Sequence, residues 1–504
     1  MKIVIVGGGT AGWLTALYAK KLFKNDHITL IESQDIPIIG VGEATTPHII
    51  DFLEELNIDF VDVIKNTDGT IKNGISFEDW NGDGKQYLHG FSVRDEANPF
   101  VLDNSKSNFY DVYLRYLIQN KLSFLENTYT PLISYQNIIN LRNQSFALHF
   151  DAAKLSNYLS KLSINRGIEH IIDEYECCEQ DEKGFIKKIK TKNHILDVDF
   201  VFDCSGFQKL FIGNLFKDRW IDYQNHLPMK KAVLFPTKNT SSKPYTTARA
   251  MKYGWVFEIP LQNRTGRGYI FDSDYIDSDQ ACEELKTVYN DVEPSRTITF
   301  SAGRFTNSWI KNCIGLGLST NFVEPLESTS IFVTIGQLKL LTKFKEHLSS
   351  QNVDGINNFN MITGSNKFNK IIGSNNDAIL KFIYLHYMTK RKDSDFWLEF
   401  REKNTPPEGM DLIMNDIKNG KLNDNSLPMN TSSAFNLESY LHICNGLEIY
   451  EEQNTNIPIF PNHHLYTKIL ELEQLKNNEQ SHSKFIADVW HNKMKRHPVP
   501  FKVM

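Results

Sequence analysis

The chain reads as an α/β protein built on a nucleotide-binding module, and three consecutive segments lead there. An apolar, β-branched run, Lys2–Val6, stops at a glycine turn. Thr10–Phe23 follows with helical spacing, and His27–Glu32 is a second apolar run. Strand, helix and strand with short connections make a βαβ unit, which implies a parallel sheet.

The first strand is apolar on both faces and so is expected to be fully buried. In the helix Trp13, Leu14, Leu17, Tyr18 and Leu22 recur three and four residues apart. From about Ile49 to Lys65 the pattern is again helical and ends at the turn cluster Asn66-Thr67-Asp68-Gly69. Residues 70–150 mix short strands with a helix near Asn108–Asn120, and Asp151 is placed as the N-cap of a helix running through Leu162. Glu169–Cys178 and Phe185–Asp203 read as a β-meander returning to the first sheet. Lys230–Pro236 and Gly254–Phe271 read as strands of a second sheet. Cys313–Leu318 reads as a strand before a long helix that begins near Leu326. From about 340 onward helical patterns dominate, broken by Asn/Gly-rich loops at 351–376 and 419–434, with Phe396, Trp397, Tyr440 and Trp490 expected in the core. The expected organisation is a nucleotide-binding module over 1–340 with an inserted second sheet (about 70–150 and 230–300), then a mainly helical part over 341–504.

Composition excludes several classes. With 41% hydrophobic and 23% charged residues in 504, the chain is an ordinary globular protein with room for two or three cores. A net charge of −6 without a basic run argues against a nucleic-acid partner. The N-terminal apolar run is too short for a secretion signal, and no stretch nears 18 apolar residues, so no membrane span is expected. The six cysteines show no metal-binding spacing, and Cys177-Cys178 reads as two reduced thiols, which fits a cytoplasmic protein. His463-His464 reads as a loop pair with no third ligand, so no metal site is expected. The residues leave a monomer and a homo-oligomer equally open.

Gly7-Gly8-Gly9-Thr10-Ala11-Gly12 satisfies G-x-G-x-x-G between a strand and a helix. Gly7 permits the turn, Gly9 lets a pyrophosphate reach the backbone, Gly12 allows close packing, and the amides at Thr10 and Ala11 open the helix. Glu32, 20 residues after Gly12, is placed to accept from ribose hydroxyls. Asp203-Cys204-Ser205-Gly206 resembles the late D-x-S-G segment of hydroxylase-type flavoproteins, and Gly317 lies in a second glycine-bearing crossing, which together favour FAD over NAD. Cys204 reads as a small packed residue.

Two segments some 250 residues apart bear on the chemistry, Gly69-Thr70-Ile71-Lys72-Asn73-Gly74-Ile75 and Phe322-Val323-Glu324-Pro325-Leu326-Glu327-Ser328-Thr329. By themselves they leave two readings open: a reactive lysine with a carboxylate, or an edge-strand lysine and a charge at a helix N-terminus. With Gly40-Val41-Gly42-Glu43-Ala44-Thr45-Thr46-Pro47, Asn307-Ser308-Trp309, Asn312-Cys313, Phe150-Asp151-Ala152 and Arg391–Trp397, they resemble the flavin-dependent halogenases of the tryptophan-halogenase family over roughly residues 1–400.

That resemblance implies an FAD-binding module of the flavin monooxygenase type, with Gly42, Glu43, Ala44 and Thr45 against the flavin and Asp203 lining the cofactor. It implies an oxidoreductase that uses reduced FAD, dioxygen and a halide to form hypohalous acid. Lys72 relays the acid to an electron-rich aromatic, indole-type or phenolic, with Glu327 and Ser328 as its catalytic partners. The amides of Thr329 and Ser330 are the expected halide site. Many tryptophan-specific relatives have glycine at Ser330's position. No second nucleotide fingerprint appears, so a separate NADH-dependent flavin reductase is the expected partner. His89 falls where relatives line the substrate cavity, against a structural or solvent-facing role that the residues by themselves favour. The family's W-x-W-x-I-P motif appears as Trp255-Val256-Phe257-Glu258-Ile259-Pro260, with Phe257 for the second tryptophan, which loosens the exclusion of an aromatic monooxygenase. Ser330 and Phe257 point to bromide or iodide over chloride. The region after 435 does not reproduce the amino-acid clamp of tryptophan-specific members, which favours a small indole. Arg249 and Arg267 fit either cofactor contact or strand capping.

Overall fold

The structure is a computed structural model and describes residues 1–36, 42–92, 114, 117–118, 122–142, 144–238, 241, 243–349, 356–428, 435–449 and 480–491. The expected helix near Asn108–Asn120, Gly40-Val41 and His463-His464 lie wholly or largely outside them. Among the described residues no helix is long and apolar enough to cross a membrane, and no group of three or more His, Cys, Asp or Glu is placed to hold a metal.

The strand Lys2–Val6 lies at the centre of a six-stranded sheet ordered 309–310, 313–315, 200–203, 2–6, 27–32, 169–172. All neighbours are parallel except the antiparallel edge pair 309–310 with 313–315. The chain goes from Lys2–Val6 to His27–Glu32 on one side and later to Phe200–Asp203 on the other, so the winding reverses beside the first strand. In such sheets ligands bind at the carboxyl ends of the strands flanking the reversal. The expected meander between 169 and 203 is observed, with Tyr175–Gln180, Ile186–Thr191 and Ile195–Asp197 forming a separate antiparallel sheet before the return at Phe200.

The second sheet has seven strands in the order 296–299, 231–234, 265–271, 254–260, 246–251, 74–78, 86–90. Alternation along Gly254–Pro260 sends Trp255, Phe257 and Ile259 into an apolar core shared with helices of the C-terminal part, and Val256 into a smaller one behind. Thr70–Lys72 was expected in this sheet. It instead pairs with Ala147–Phe150 in a small sheet with Glu43–Ala44, and the chain passes from one sheet to the other at Asn73.

Several helix boundaries differ from expectation. The stretch 49–65 is two helices, His48–Glu55 and Phe60–Asn66, because Asn57 turns left-handed (φ 54°) and Asp59 caps the second by accepting from the Val61 amide at 2.9 Å. The long helix starts at Thr329 and not near Leu326. Pro325–Glu327 forms a 3-10 turn, and Ser328 at φ 58° breaks the path. This helix continues to Ser349, through the boundary expected at 340, and buries Ile335, Leu338, Leu341 and Phe344 against the nucleotide module. The expected loop at 351–376 is helical from 356, in Ile356–His386. Over 419–428 the described chain has only the 3-10 turn Asp424–Ser426. Phe396, Trp397 and Tyr440 are buried as expected, whereas Trp490 is 53% exposed.

Candidate active site

A cavity of about 620 Å³ opens at the carboxyl ends of the central parallel strands, within the range of pockets that enclose small molecules. Gly7, Gly8, Gly9, Thr10 and Ala11 line it after the first strand, Glu32 after the second, Cys204 to Gly206 after the third, and Leu316 to Leu318 beyond. The glycines divide the work. A Cβ on Gly7, at φ 119°, would stand 2.1 Å from the Cys204 carbonyl oxygen, and one on Gly12 would stand 1.8 Å from that of Gly7. Both are therefore fixed by packing. A Cβ on Gly9 would meet no atom within 4 Å and would project into open space. The helix Thr10–Leu22 has no side-chain cap and no acidic residue in its first turn, so its leading amides face the cavity as free donors. An uncapped helix N-terminus, a bare glycine and a carboxylate at the end of the second strand fit the pyrophosphate and ribose of a dinucleotide.

Glu43 and Gly317 also line this cavity, and Glu43 accepts from the Thr10 hydroxyl at 3.3 Å. Burial pushes the Glu43 carboxyl up to about 7. Gly12, Gly42, Ala44 and Thr45 are not among the lining residues. Asp203 is not either. Its wholly buried carboxylate accepts from the Ser205 amide and hydroxyl and from the Phe211 and Ile212 amides, which ties down the turn after its strand. Arg249 pairs with Glu78, and Arg267 with Glu258, all on the second sheet; Arg267 also pairs with Asp291 in the connection before the strand Arg296–Thr299, and none of them lines the cavity.

Neither Lys72 nor Glu327 lines this cavity; Lys72 is hydrogen-bonded to Thr45 and Ser328, each two residues along the chain from a lining residue. Lys72 is wholly buried, and its amine donates to the Thr45 carbonyl at 2.9 Å and the Ser328 hydroxyl at 2.8 Å. It also lies 5.5 Å from the centre of the Phe91 ring. Burial, only partly offset by the negative charge of Glu327, brings Lys72 down to about 7. Ser328 reaches it because of its left-handed backbone, a conformation that costs a non-glycine residue of order 1–3 kcal/mol. The strain at the junction of the 3-10 turn and the helix aims the hydroxyl at Lys72.

Glu327 is 2% exposed and sits between two imidazoles. His89 Nδ1 is 2.9 Å from both carboxylate oxygens, and His386 Nε2 is 2.8 Å from one of them. His386 Nδ1 is also 2.9 Å from the Phe382 carbonyl, so both its nitrogens face acceptors. Burial alone raises a carboxyl, but here His89 and His386 override it and hold Glu327 down to about 2. His89 thus faces the carboxylate directly, with Phe382 and Phe435 against its ring.

Sequence reasoning missed three residues of this constellation. His386 ends a helix about two thirds of which reads as an Asn-rich loop, and no spacing links it to Glu327. Glu324 stands in the quoted motif without a role. It is wholly buried, accepts from the Met229 amide at 3.1 Å and from the Tyr387 hydroxyl, and burial pushes it up to about 7. Tyr387 in turn accepts from the Trp255 indole at 3.1 Å. The signal available was the second carboxylate three residues before Glu327. Phe257 lies across Gly268, its cross-strand partner, where a Cβ would stand 2.5 Å from the ring.

Thr329 and Ser330 open the helix Thr329–Ser349. Thr329 is fully buried, and its hydroxyl has no hydrogen-bond partner. Ser330 is exposed and lines the cavity.

The sequence model of the family described as tryptophan halogenase matches residues 2–458. The chain is 32% identical over 442 residues to the tryptophan 6-halogenase SttH of Streptomyces toxytricini, covering 80% of this chain and 82% of that one. It is 31% identical over 436 residues to the tryptophan 7-halogenase RebH of Lentzea aerocolonigenes, covering 80% and 79%. Among solved structures, that of BrvH, a flavin-dependent halogenase from Brevundimonas sp. BAL3, superposes with a TM-score of 0.84 at 27% identity over 97% of this chain and 99% of that one. The chain belongs to the tryptophan halogenase family of flavin-dependent halogenases.

Proposed function

We propose that this chain halogenates an electron-rich aromatic, indole-type or phenolic, with hypohalous acid delivered by Lys72. The observation that carries this reading is the amine of Lys72, closed off from bulk water, held by Ser328 and Thr45 and electrostatically coupled to Glu327. Bound FAD, supplied reduced by a separate NADH-dependent reductase, contributes with dioxygen the oxidising equivalents that turn halide into hypohalous acid. The chain's own residues do the rest. Gly9 and the amides of Thr10 and Ala11 hold the pyrophosphate, and Glu32 the ribose. The leading amides of the helix at Thr329 and Ser330, with the unpartnered Thr329 hydroxyl, hold the halide.

A lysine brought down to about 7 is present near neutrality both as ammonium and as free amine. The ammonium holds hypohalous acid by a hydrogen bond, and the amine takes its halogen to give a haloamine, with the N–H and O–halogen bonds broken and water released. Glu327 is too acidic to be an efficient base, but it is a fixed anion. It stabilises the positive charge that develops on an aromatic ring during electrophilic substitution. His89, Phe91, Trp255 and Phe257 are the expected walls toward the substrate.

Because the curated relatives are named tryptophan halogenases, free tryptophan belongs on the panel beside indole and phenol. The test supplies the purified chain with FAD, NADH, an independent flavin reductase and each of chloride, bromide and iodide in competition, and reads products by mass spectrometry. Halogenated product that disappears in Lys72→Ala is expected, with bromide or iodide taken in preference to chloride. Hydroxylated product alone supports an aromatic monooxygenase instead, and halogenation undiminished in Lys72→Ala overturns the relay.

A further inference from the structure

We infer that His482, in a C-terminal segment beyond the stretch matched by the family model, is a positioning residue for Lys72. The inference rests on the relay role of Lys72 argued above. Thr70–Lys72 is an edge strand, paired on one side with Ala147–Phe150. The amide of Ile71, next to Lys72 in the chain, donates to His482 Nε2 at 3.2 Å, and His482 is 1% exposed. An N–H donor requires a lone pair on that nitrogen, so His482 holds the strand as a ring with unprotonated Nε2.

The segment that carries it is anchored independently of Lys72. Gln480 and Ser481 pair with Ile139 and Ile138, and the His482 amide donates to the Asn137 carbonyl at 3.0 Å. The helix His482–Trp490 buries His482, Phe485 and Val489, spaced three and seven residues apart on one face. Phe485 and Val489 enter the core that also holds Ile71, Ile64 and Val61. His482 therefore ties the Lys72 strand to a body packed from the far end of the chain. On the strand's other side His149 faces the Thr70 hydroxyl at 2.9 Å, so the backbone leading to Lys72 is gripped from both directions. Without the His482 contact the outward amide at Ile71 loses its buried acceptor, and the strand is free to move the amine away from Ser328.

His482→Ala and His482→Gln in the full chain test this. A glutamine side chain can place its carbonyl oxygen near the position of Nε2 and keep the acceptor. His482→Ala is expected to lower kcat for halogenation roughly 10- to 100-fold, the scale of a displacement near 1 Å. KM for halide and FAD binding should stay near wild type, while hydrogen peroxide release per NADH rises. His482→Gln is expected to recover most of kcat. Equal loss in both variants, or no loss in His482→Ala while Lys72→Ala is inactive, overturns the positioning role and leaves the relay intact. Full halogenation by Lys72→Ala overturns the relay, and this inference with it.

Discussion

Lys72 should make the native state pay for its burial, and Lys72→Met measures that penalty through its pH dependence. The side chain falls from an ordinary 10.5 to about 7, and each unit is about 1.4 kcal/mol, giving about 5 kcal/mol of destabilisation at full strength. Below pH 7 both folded and unfolded chains hold the proton, and the whole penalty is present. Between pH 7 and 10.5 the unfolded chain still binds a proton that the native amine has released. Wild-type stability therefore rises with pH by about 1.4 kcal/mol per unit, and above 10.5 the penalty is gone. Methionine keeps the length and the packing and does not titrate. It also leaves the Thr45 carbonyl and Ser328 hydroxyl without their donor, a loss of about 1–3 kcal/mol that does not change with pH. The slope, not the offset, is thus the observable. With about 2.1 cal/mol/K of unfolding entropy per residue, roughly 1 kcal/mol corresponds to 1 °C for this chain. Scanning calorimetry of both proteins at pH 7, 8, 9 and 9.5 should show the Tm advantage of Lys72→Met shrinking by about 3 °C. A difference constant across that range refutes the depressed amine.

Glu327→Gln removes the anion between two imidazoles and is expected to lower kcat by about 10²- to 10³-fold without weakening FAD binding. Because Glu327 is held down to about 2, its electrostatic contribution to stability is present above about pH 4.5 and lost as pH falls toward 2. Acid unfolding curves of wild type and Glu327→Gln should converge only in that window. Gly9→Ala adds a Cβ to open space, so it should leave Tm unchanged while weakening FAD about 10- to 100-fold, one or two charge-assisted hydrogen bonds to phosphate; flavin fluorescence quenching reads this. Gly12→Ala, facing the Gly7 carbonyl, should unfold the module. Tyr387→Phe strips a partner from both Glu324 and the Trp255 indole and should cost about 1–3 kcal/mol in denaturant unfolding.

The parts of the fold legible in the sequence are those that local chemistry determines. The first βαβ unit announces itself because fully buried strands are apolar on both faces and glycines mark the only backbone that fits between them. Asp151 was legible as a cap because its carboxylate serves an amide three residues on, which it does at 3.0 Å. The helix break at Asn57 was not, since Leu56 and Ile58 preserve the apolar spacing across it. Residues 356–376 read as a loop because asparagine and glycine are poor helix formers in isolation, yet Phe368 and Ile372 bury this helix against the nucleotide module. At the site, Lys72 and Glu327 emerged through resemblance, while their geometry came from partners remote in sequence. His386 is 59 residues from Glu327, and Ser328 is 256 from Lys72. No local pattern encodes such pairings.

Three charged side chains are buried about this centre, and the character of their partners decides which of them exchanges protons. Lys72 meets two neutral oxygens, so desolvation prevails and the ammonium is weakened to about 7. Glu324 meets a neutral amide and a neutral hydroxyl, so desolvation prevails again and the carboxyl rises to about 7. Glu327, three residues later, meets two imidazoles and stays ionised. Burying an ion without a counter-ion shifts its titration, while a charged partner fixes it. A limb near pH 7 in the kcat profile therefore belongs to Lys72, to Glu324 or to Glu43, which burial also pushes up to about 7, never to Glu327. Glu324→Gln and Glu43→Gln tell them apart, because each removes only one of the groups that titrate there. Persistence of the limb in both variants assigns it to the amine, as the relay requires; its disappearance in either assigns it to that carboxyl and makes the lysine a spectator of the pH dependence.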